Sequence, residues 1–466
     1  MTRETKFLAI CAAALAVACS DATQPVGPVV QSPAVSASAT RTPGGENYVA
    51  IGTSISMGWA SNGAYSGSQI FAWPELLRFG GGGPISLPLI ASPGCQSPLV
   101  PPLGANLRLS GEPFSGSSVC APNEAGVQLP TQDVALAGSL TSYALFVTPL
   151  IADGSAPWFA RVLPADATQV SAALSQSPTL LSIELGGNDV LRATSGLVDV
   201  GLLGNVTPVP AFEQAFDGVL GATAAPGRKG LIVAVPTESR NFPLLRSAAE
   251  IWADAAEFAA LHVDVSSDCN GSPNYINASV KSIILVFTAA FTSTHGLPNP
   301  VFSCADVPGT EDLVLTPADI ATVNTILAQM AAHQKQQAEA LGYAFFSLNE
   351  LYGRSDLKPP VYSVISQLTS AHPYGPYISL DGLHPSPLGQ SVLAKAAEKA
   401  LNKAYPGIAA HSVTIPPAFG EQLVEPSAPL FSAAWAKQVA RQNRGQTMPT
   451  CMIPGGCMVR MPQTPR

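Results

Sequence analysis

Charged residues are scarce in this chain. Only 12% of its 466 residues carry a charge, about half the usual share for a soluble domain. The net charge is −8 and no run of basic residues occurs, which excludes a partner bound through a nucleic-acid phosphate backbone. The 40 glycines and 43 prolines exceed the usual share but fall short of a low-complexity polymer, so we expect a folded protein.

Several catalytic and metal-binding signatures are also missing. The sequence contains no G-x-S-x-G, which excludes the nucleophile elbow of ordinary α/β-hydrolases. It contains no H-E-x-x-H and no C-x-x-C, and the glycine-dense stretch 80–83 lacks the Lys-Ser/Thr of a phosphate loop. We therefore expect no metal and no cofactor, and we expect a monomer without a nucleic-acid partner.

No apolar run is long enough to span a bilayer. The run from Phe7 to Ala18 follows the basic residues Arg3 and Lys6, and its length suits a signal peptide rather than about 30 Å of hydrocarbon. The run from Ile283 to Phe291 is also short, and it predicts a buried strand or helix, or a lip beside a pocket.

The end of the first run resembles the lipobox of bacterial lipoproteins. Residues 16–20 read AVACS, and in such proteins the cysteine, here Cys19, is lipidated and becomes the new N-terminus. We expect a signal peptide over 1–18 and a lipid anchor in the bacterial cell envelope, at the periplasmic or outer-membrane face. The alternative is ordinary cleavage after Ala18 or Ala16, which would release a secreted protein.

An even number of cysteines remains once Cys11 and Cys19 are set aside. In an exported protein this indicates disulfides. Proximity along the chain favours the pairs Cys95–Cys120, Cys269–Cys304 and Cys451–Cys457.

Apolar runs and helical patterns alternate after a Pro- and Ser-rich linker over 19–44. The predicted buried strands are 47–52, 179–185, 230–236 and 344–348. The clearest predicted helices run over 317–341, with Thr316 as N-cap and Gly342 as stop, and over 387–404. Strands spaced by helices predict an α/β fold with a parallel sheet.

This pattern predicts one domain over 45–405. Two long stretches within it, about 80–132 and 262–312, are rich in Gly, Pro, Ser and Asn, and we interpret them as insertions at a functional rim. Residues 406–466 form a Pro-rich tail with a possible short helix near 430–442.

Three short blocks carry polar residues at places where open α/β sheets bind ligands. They are Gly52-Thr53-Ser54-Ile55, Gly186-Gly187-Asn188-Asp189 and Asp381-Gly382-Leu383-His384-Pro385. Ser54 and Asn188 follow predicted strands, and a carboxylate three residues before His384 can orient an imidazole. Taken singly, each block also suits a helix cap or a turn.

Together the blocks resemble the SGNH, or GDSL, hydrolases. That family carries G-D-S-[LI], N-x-A-x-x-G, G-x-N-D and D-x-x-H-P in this chain order. The third and fourth blocks match fully, the first departs at Thr53, and the second is loosely matched by 133–138, ending at Gly138.

The resemblance implies a three-layer α/β/α sandwich with a parallel, flavodoxin-like sheet. It implies that Ser54 is the nucleophile, His384 the general base and Asp381 the residue that orients His384. It places an oxyanion hole at the Ser54 and Gly138 amides and the Asn188 side chain. Thr53 replaces an Asp that is not the nucleophile, so the departure does not exclude catalysis.

The expected activity is hydrolysis of a carboxylic ester through an acyl-serine intermediate, as in an esterase or lipase. Apolar insertions favour a lipid or acyl-chain ester. A carbohydrate deacetylase of the same fold and a non-catalytic surface binding lipoprotein remain as alternatives. The other histidines are expected to be structural or on the surface, namely His262, His295, His333, His372 and His411. Of these, His295 and His372 lie in predicted loops and could line a pocket.

Overall fold

The computed structural model describes residues 45–152 and 156–415, which belong to the compact unit Ser36–Arg466. The predicted signal peptide, Cys19, the linker to residue 44, the Cys451–Cys457 pair and the helix predicted near 430–442 lie outside these residues.

Regular elements occur along the whole described chain. The strands are β1 (Tyr48–Ile51), β2 (Leu77–Phe79), β3 (Leu180–Glu184), β4 (Lys229–Ala234), β5 (Leu245–Ser247), β6 (Asp264–Val265), β7 (Tyr275–Asn277), β8 (Val301–Phe302), β9 (Val314–Leu315), β10 (Ala344–Ser347) and β11 (Ala410–Ser412). The α-helices are α1 (Ser54–Met57), α2 (Ser66–Gln69), α3 (Tyr143–Phe146), α4 (Phe159–Val162), α5 (Gln169–Leu174), α6 (Asn188–Leu191), α7 (Val209–Thr223), α8 (Ala248–Ala253), α9 (Ala255–Ala260), α10 (Ala278–Thr294), α11 (Pro317–Leu341), α12 (Asn349–Tyr352), α13 (Val364–Thr369) and α14 (Pro387–Ala404). Short 3₁₀ helices cover Leu103–Ala105, Arg192–Ser195, Ser239–Asn241, Ser267–Cys269 and Ser355–Leu357.

The central sheet is parallel, with strand order β1-β3-β4-β10. The extended segment 132–136 runs parallel along the outer edge of β1, where the Val134 amide donates to the Ala50 carbonyl at 2.9 Å and Leu136 donates to Gly52 at 3.0 Å. The order in space is therefore segment 132–136, β1, β3, β4, β10. Numbered by their order along the chain, these five are 2-1-3-4-5. The order therefore reverses between β1 and β3, and the carboxyl ends of strands at such a switch point are where open α/β sheets bind ligands.

The two faces of the sheet bury different side chains because successive residues of a strand point to opposite sides. In β1, Val49 and Ile51 pack into one core, with apolar residues of α5, α7 and α11. Tyr48 and Ala50 pack into the other core, which contains Leu393 and other residues of α14. The predicted parallel sheet with helices on both faces is thus confirmed.

The elements predicted with the strongest local signals match closely. All four predicted strands form the sheet, and the two predicted helices are α11 and α14. At the start of α11, the Thr316 hydroxyl accepts the Asp319 amide and the Asp319 carboxylate accepts the Thr316 amide. Gly342 ends this helix at φ +65°, a left-handed conformation that glycine adopts without steric cost.

The predicted pairs Cys95–Cys120 and Cys269–Cys304 both form disulfides. Each lies in one of the two stretches interpreted as insertions. Paired cysteines fit an exported protein, because disulfides are rare in a reducing cytosol.

The stretch 262–312 contains more regular structure than its composition indicates. The apolar run Ile283–Phe291 lies within the 17-residue helix α10. Residues of this helix, of α8 and α9, and both cysteines of the second disulfide form a third apolar core. Glycine and proline are concentrated in the loops around α10 rather than inside it. The average composition of 262–312 therefore does not indicate the extent of this helix.

Strand β11 lies in the predicted tail, and it pairs antiparallel with β2, so the fold extends past residue 405.

Within 45–152 and 156–415, no helix has both the length and the apolar character needed to cross a bilayer.

Candidate active site

Ser54 stands at the turn between β1 and α1, at the carboxyl edge of the sheet. Its side chain is nearly buried, with 7% of the residue exposed. The preceding Gly52 leaves no room for a side chain, because a Cβ there would lie 2.5 Å from Ser56 Oγ. The turn therefore passes close to its neighbours and fixes where the Ser54 hydroxyl lies.

His384 reaches Ser54 from the other end of the chain. Its Nε2 lies 2.9 Å from Ser54 Oγ, and its Nδ1 lies 2.8 Å from Asp381 Oδ2. The three side chains are buried together. A hydroxyl, an imidazole and a carboxylate in this order can pass a proton from serine to histidine while the carboxylate stabilises the cation.

Asp381 is held by several donors besides the imidazole. Its Oδ1 accepts the amides of Leu383 and His384, both at 2.9 Å, and the Ser379 hydroxyl at 3.1 Å. Its Oδ2 also accepts the Asn62 amide at 2.8 Å. Burial alone would raise the pKa of Asp381, but the charge of His384 and these hydrogen bonds outweigh burial and lower the pKa to about 2.

Ser61 and Asn62 belong to the site although no sequence motif points to them. Both have positive φ, 53° and 59°, a conformation that non-glycine residues adopt rarely and Asn tolerates best. It directs the Ser61 amide to Ser379 Oγ at 2.9 Å and the Asn62 amide to Asp381. The Asn-Gly pair at 62–63 is a turn signal, but nothing local indicates its partner across the chain.

Asn188, at the start of α6, contacts the loop that carries Gly138. Asn188 Nδ2 donates to the carbonyl of Ser139 at 3.0 Å, and this bond uses one of its two hydrogens. Gly138 has φ +76°, and a Cβ built on it would meet nothing within 4 Å. Among the described residues, neither the Gly138 amide nor the Ser54 amide donates to a protein acceptor.

Asp189 fixes the loop that carries Gly138. Its Oδ2 accepts the Thr141 amide at 3.0 Å and the Thr141 hydroxyl at 2.7 Å. Its carbonyl accepts the Thr207 amide at 2.8 Å. Burial raises the pKa of Asp189, while the bonds from Thr141 oppose that rise. The conspicuous Asn-Asp pair is therefore more than a turn: both residues hold the neighbouring loops.

Glu184 lies directly beneath the Ser54 turn and was also missed. It ends β3, only 1% of it is exposed, and it accepts hydrogen bonds from Thr53 and Ser56. A signal was present, since a glutamate inside an apolar strand predicted to be buried on both faces requires hydrogen-bonding partners.

Two of the other histidines make their side-chain contacts with residues outside this arrangement. His295 Nδ1 contacts the Phe291 carbonyl at 2.8 Å, and His333 Nε2 contacts Asp217 at 2.8 Å. Within the described ranges, one group of side chains is close enough together to suggest a metal, namely Asp268, Cys269 and Cys304. The two sulfurs of that group are bonded to each other as a disulfide.

No protein-family model and no curated protein matches this chain. At low similarity the chain resembles the solved structure of a mutant acetyl-xylooligosaccharide esterase from Geobacillus. The two share 12% identity with a TM-score of 0.30, over 77% of this chain and 94% of that one. A similarity this low does not bear on the function of the chain.

The low pKa of Asp381 makes a prediction for acid stability. The folded chain keeps this carboxyl ionised where the unfolded chain already protonates it, so its contribution to stability is present above about pH 4 and is lost as the pH falls toward about 2. We expect the free energy of unfolding of the wild type to fall over this interval by about 2 kcal/mol more than that of Asp381→Asn. Urea titrations at several pH values would measure both slopes. Equal acid sensitivity of the two proteins would contradict the prediction.

Proposed function

We propose that this protein is a serine esterase of the SGNH type, which hydrolyses carboxylic esters through an acyl-Ser54 intermediate. The observation that carries the proposal is the chain of contacts from Ser54 Oγ to His384 Nε2 and from His384 Nδ1 to Asp381. Two of the family's sequence blocks supply these residues, and the parallel sheet supports the same fold.

In the first step Ser54 Oγ attacks the carbonyl carbon of the ester while His384 Nε2 takes the hydroxyl proton. A serine hydroxyl is a poor nucleophile until a base removes that proton. The imidazolium that forms lies against the ionised Asp381, which stabilises the charge and holds the ring in one tautomer.

The tetrahedral intermediate carries a negative charge on the former carbonyl oxygen. We assign three donors to this oxygen, namely the amides of Ser54 and Gly138 and the second hydrogen of Asn188 Nδ2. Preorganised donors stabilise the transition state more than the substrate, and loss of one typically costs about 3–4 kcal/mol of barrier.

The intermediate collapses when His384 returns its proton to the leaving alkoxide, which departs as an alcohol. Water then attacks the acyl carbon, with His384 again taking a proton, and the acid and free Ser54 are released. No group beyond these residues and water is needed for the balance of atoms and charge.

We predict that Ser54→Ala and His384→Ala each lower the hydrolysis of p-nitrophenyl esters by about 1,000-fold or more, because each removes a member of one proton-transfer unit. Turnover is measured on proteins whose circular dichroism matches the wild type. His333→Ala is the matched control, since that histidine bonds Asp217 away from Ser54 and its loss should leave turnover unchanged. Folded Ser54→Ala with wild-type turnover would overturn the mechanism.

The natural substrate that we propose is a lipid or acyl-chain ester. Large apolar side chains are exposed on segments that follow or precede the residues bonded to Asp189. Leu202 and Leu203 are 83% and 99% exposed, on the loop that ends at Thr207, and Leu150 is 72% exposed beyond Thr141. Exposed apolar side chains on loops around a site can contact an apolar substrate.

An acyl-length series of p-nitrophenyl esters tests this substrate class. We expect kcat/KM to rise from acetate to longer chains, and we expect Leu202→Ser/Leu203→Ser to reduce the long-chain values while leaving acetate turnover unchanged. A sharp preference for acetate in the wild type would contradict the lipid proposal and favour the deacetylase alternative. Inactivity on the whole series would favour the binding lipoprotein.

We also propose that the mature protein is a lipoprotein of the bacterial cell envelope, anchored through Cys19. The two disulfides support export, and the lipobox-like residues support lipidation. Mass spectrometry of the protein from its native membrane should show diacylglycerol on an N-terminal Cys19, and Cys19→Ser should lack that mass. An unmodified Cys19 in the native protein would contradict the anchor.

A further inference from the structure

We propose that Glu184 is a positioning residue for the reaction, holding the Ser54 turn so that its hydroxyl and amide face the substrate. This inference rests on the proposed esterase function and concerns the same site. Glu184 contributes no atom to the reaction and acts through the residues on either side of Ser54.

The contacts of Glu184 bracket Ser54. Oε2 accepts the Thr53 amide at 3.0 Å, and the Thr53 hydroxyl lies 2.9 Å from both carboxylate oxygens. On the other side, Oε2 accepts the Ser56 hydroxyl at 3.0 Å and the Ser56 amide at 3.4 Å. One side chain of β3 thus binds the residue before Ser54 and the residue two positions after it.

The direction of these bonds is fixed by a further contact. Trp73 Nε1 donates to Ser56 Oγ at 3.1 Å, so the Ser56 hydroxyl receives that hydrogen and turns its own toward Glu184. The two amides can only donate. Glu184 therefore acts as an acceptor for the whole turn, and an apolar side chain in its place would leave these donors unpaired in a buried site.

The local sequence accommodates this arrangement. A Cβ at Gly52 would lie 3.2 Å from Glu184 Oε2 and closer still to Ser56, so glycine allows the carboxylate to approach the turn. Thr53, where the family's block has Asp, supplies a hydroxyl donor to the carboxylate instead of a second carboxylate. Thr in place of the family's Asp at position 53 thus provides a donor for the acceptor Glu184.

The consequence for catalysis is geometric. Both the attacking oxygen of Ser54 and its amide, which we assign to the oxyanion hole, lie on the turn that Glu184 holds. A displacement of about 1 Å in such groups can cost about 100-fold in rate. Binding of the ester depends on other surfaces and should be unaffected.

The test compares Glu184→Met with Glu184→Gln on a p-nitrophenyl ester that the wild type hydrolyses. Methionine retains the length and burial but has no acceptor for the turn, so kcat should fall by about 100-fold with KM unchanged. Glutamine retains one carbonyl oxygen, and we expect it to recover most of that loss. The labelling rate of Ser54 by a fluorophosphonate, followed by mass spectrometry, should fall and recover in parallel.

A matched control and a milder variant separate positioning from general damage to the core. Glu75 is also a buried carboxylic acid, 4% exposed, but makes no hydrogen bond to the turn, so Glu75→Met should retain the wild-type kcat. Thr53→Val removes one donor from a well-packed site. Its effect and that of Glu184→Gln should be non-additive in a double-mutant cycle if both act through the same contact.

Two results would overturn the inference. One is a folded Glu184→Met with wild-type kcat and Ser54 labelling, and the other is strict additivity of Thr53→Val and Glu184→Gln. If Glu184→Met does not fold, the double-mutant cycle of Thr53→Val and Glu184→Gln alone tests the inference. Failure of the proposed function is distinguishable, because then the wild type itself would neither hydrolyse esters nor be labelled at Ser54.

Discussion

A carboxylate removed from water must be met by donors, and in this protein several of those donors come from loops that are distant in sequence. Glu184 accepts hydrogen bonds from the turn that carries Ser54. Asp189 accepts a hydrogen bond from the loop that carries Gly138. Asp381 accepts hydrogen bonds from the His384 ring and from the backbone amide of Asn62. Each of these buried carboxylates therefore holds one part of the candidate site, and the strands beneath them determine how far apart the parts lie.

The parallel sheet makes this arrangement possible because it collects the ends of its strands at one edge. Ser54 follows β1, and Asn188 follows β3, which is hydrogen-bonded to β1. The segment 132–136 continues the sheet on the other side of β1 and delivers Gly138 to the same edge. The histidine loop precedes α14, whose apolar face packs on the opposite side of the sheet from α11.

The features that could be predicted from the sequence are those with local causes. Apolar runs indicated the strands, Thr316 and Gly342 indicated the ends of α11, and proximity indicated two disulfides. The candidate residues Ser54, Asp381 and His384 were found as motifs, and the structure brings them within hydrogen-bonding distance. The roles of Asn62 and Glu184 were missed because a hydrogen bond across 319 or 131 positions does not show its partner in either local sequence, although a glutamate inside a buried strand does signal that it needs one. The run Ile283–Phe291 left helix α10 as one of three interpretations, and its 17-residue length was not predicted because the loops around it dominate the composition of its region.

The separation of Ser54 and His384 by 330 positions has a consequence for biosynthesis. A chain made from its N-terminus presents the serine long before the histidine has been translated, and domains fold as units only when their contacts are complete. Until residue 384 has been made, Ser54 therefore lacks the imidazole that contacts its hydroxyl in the folded chain. Under the proposed mechanism, the serine of the nascent chain is therefore not activated before residue 384 has been added.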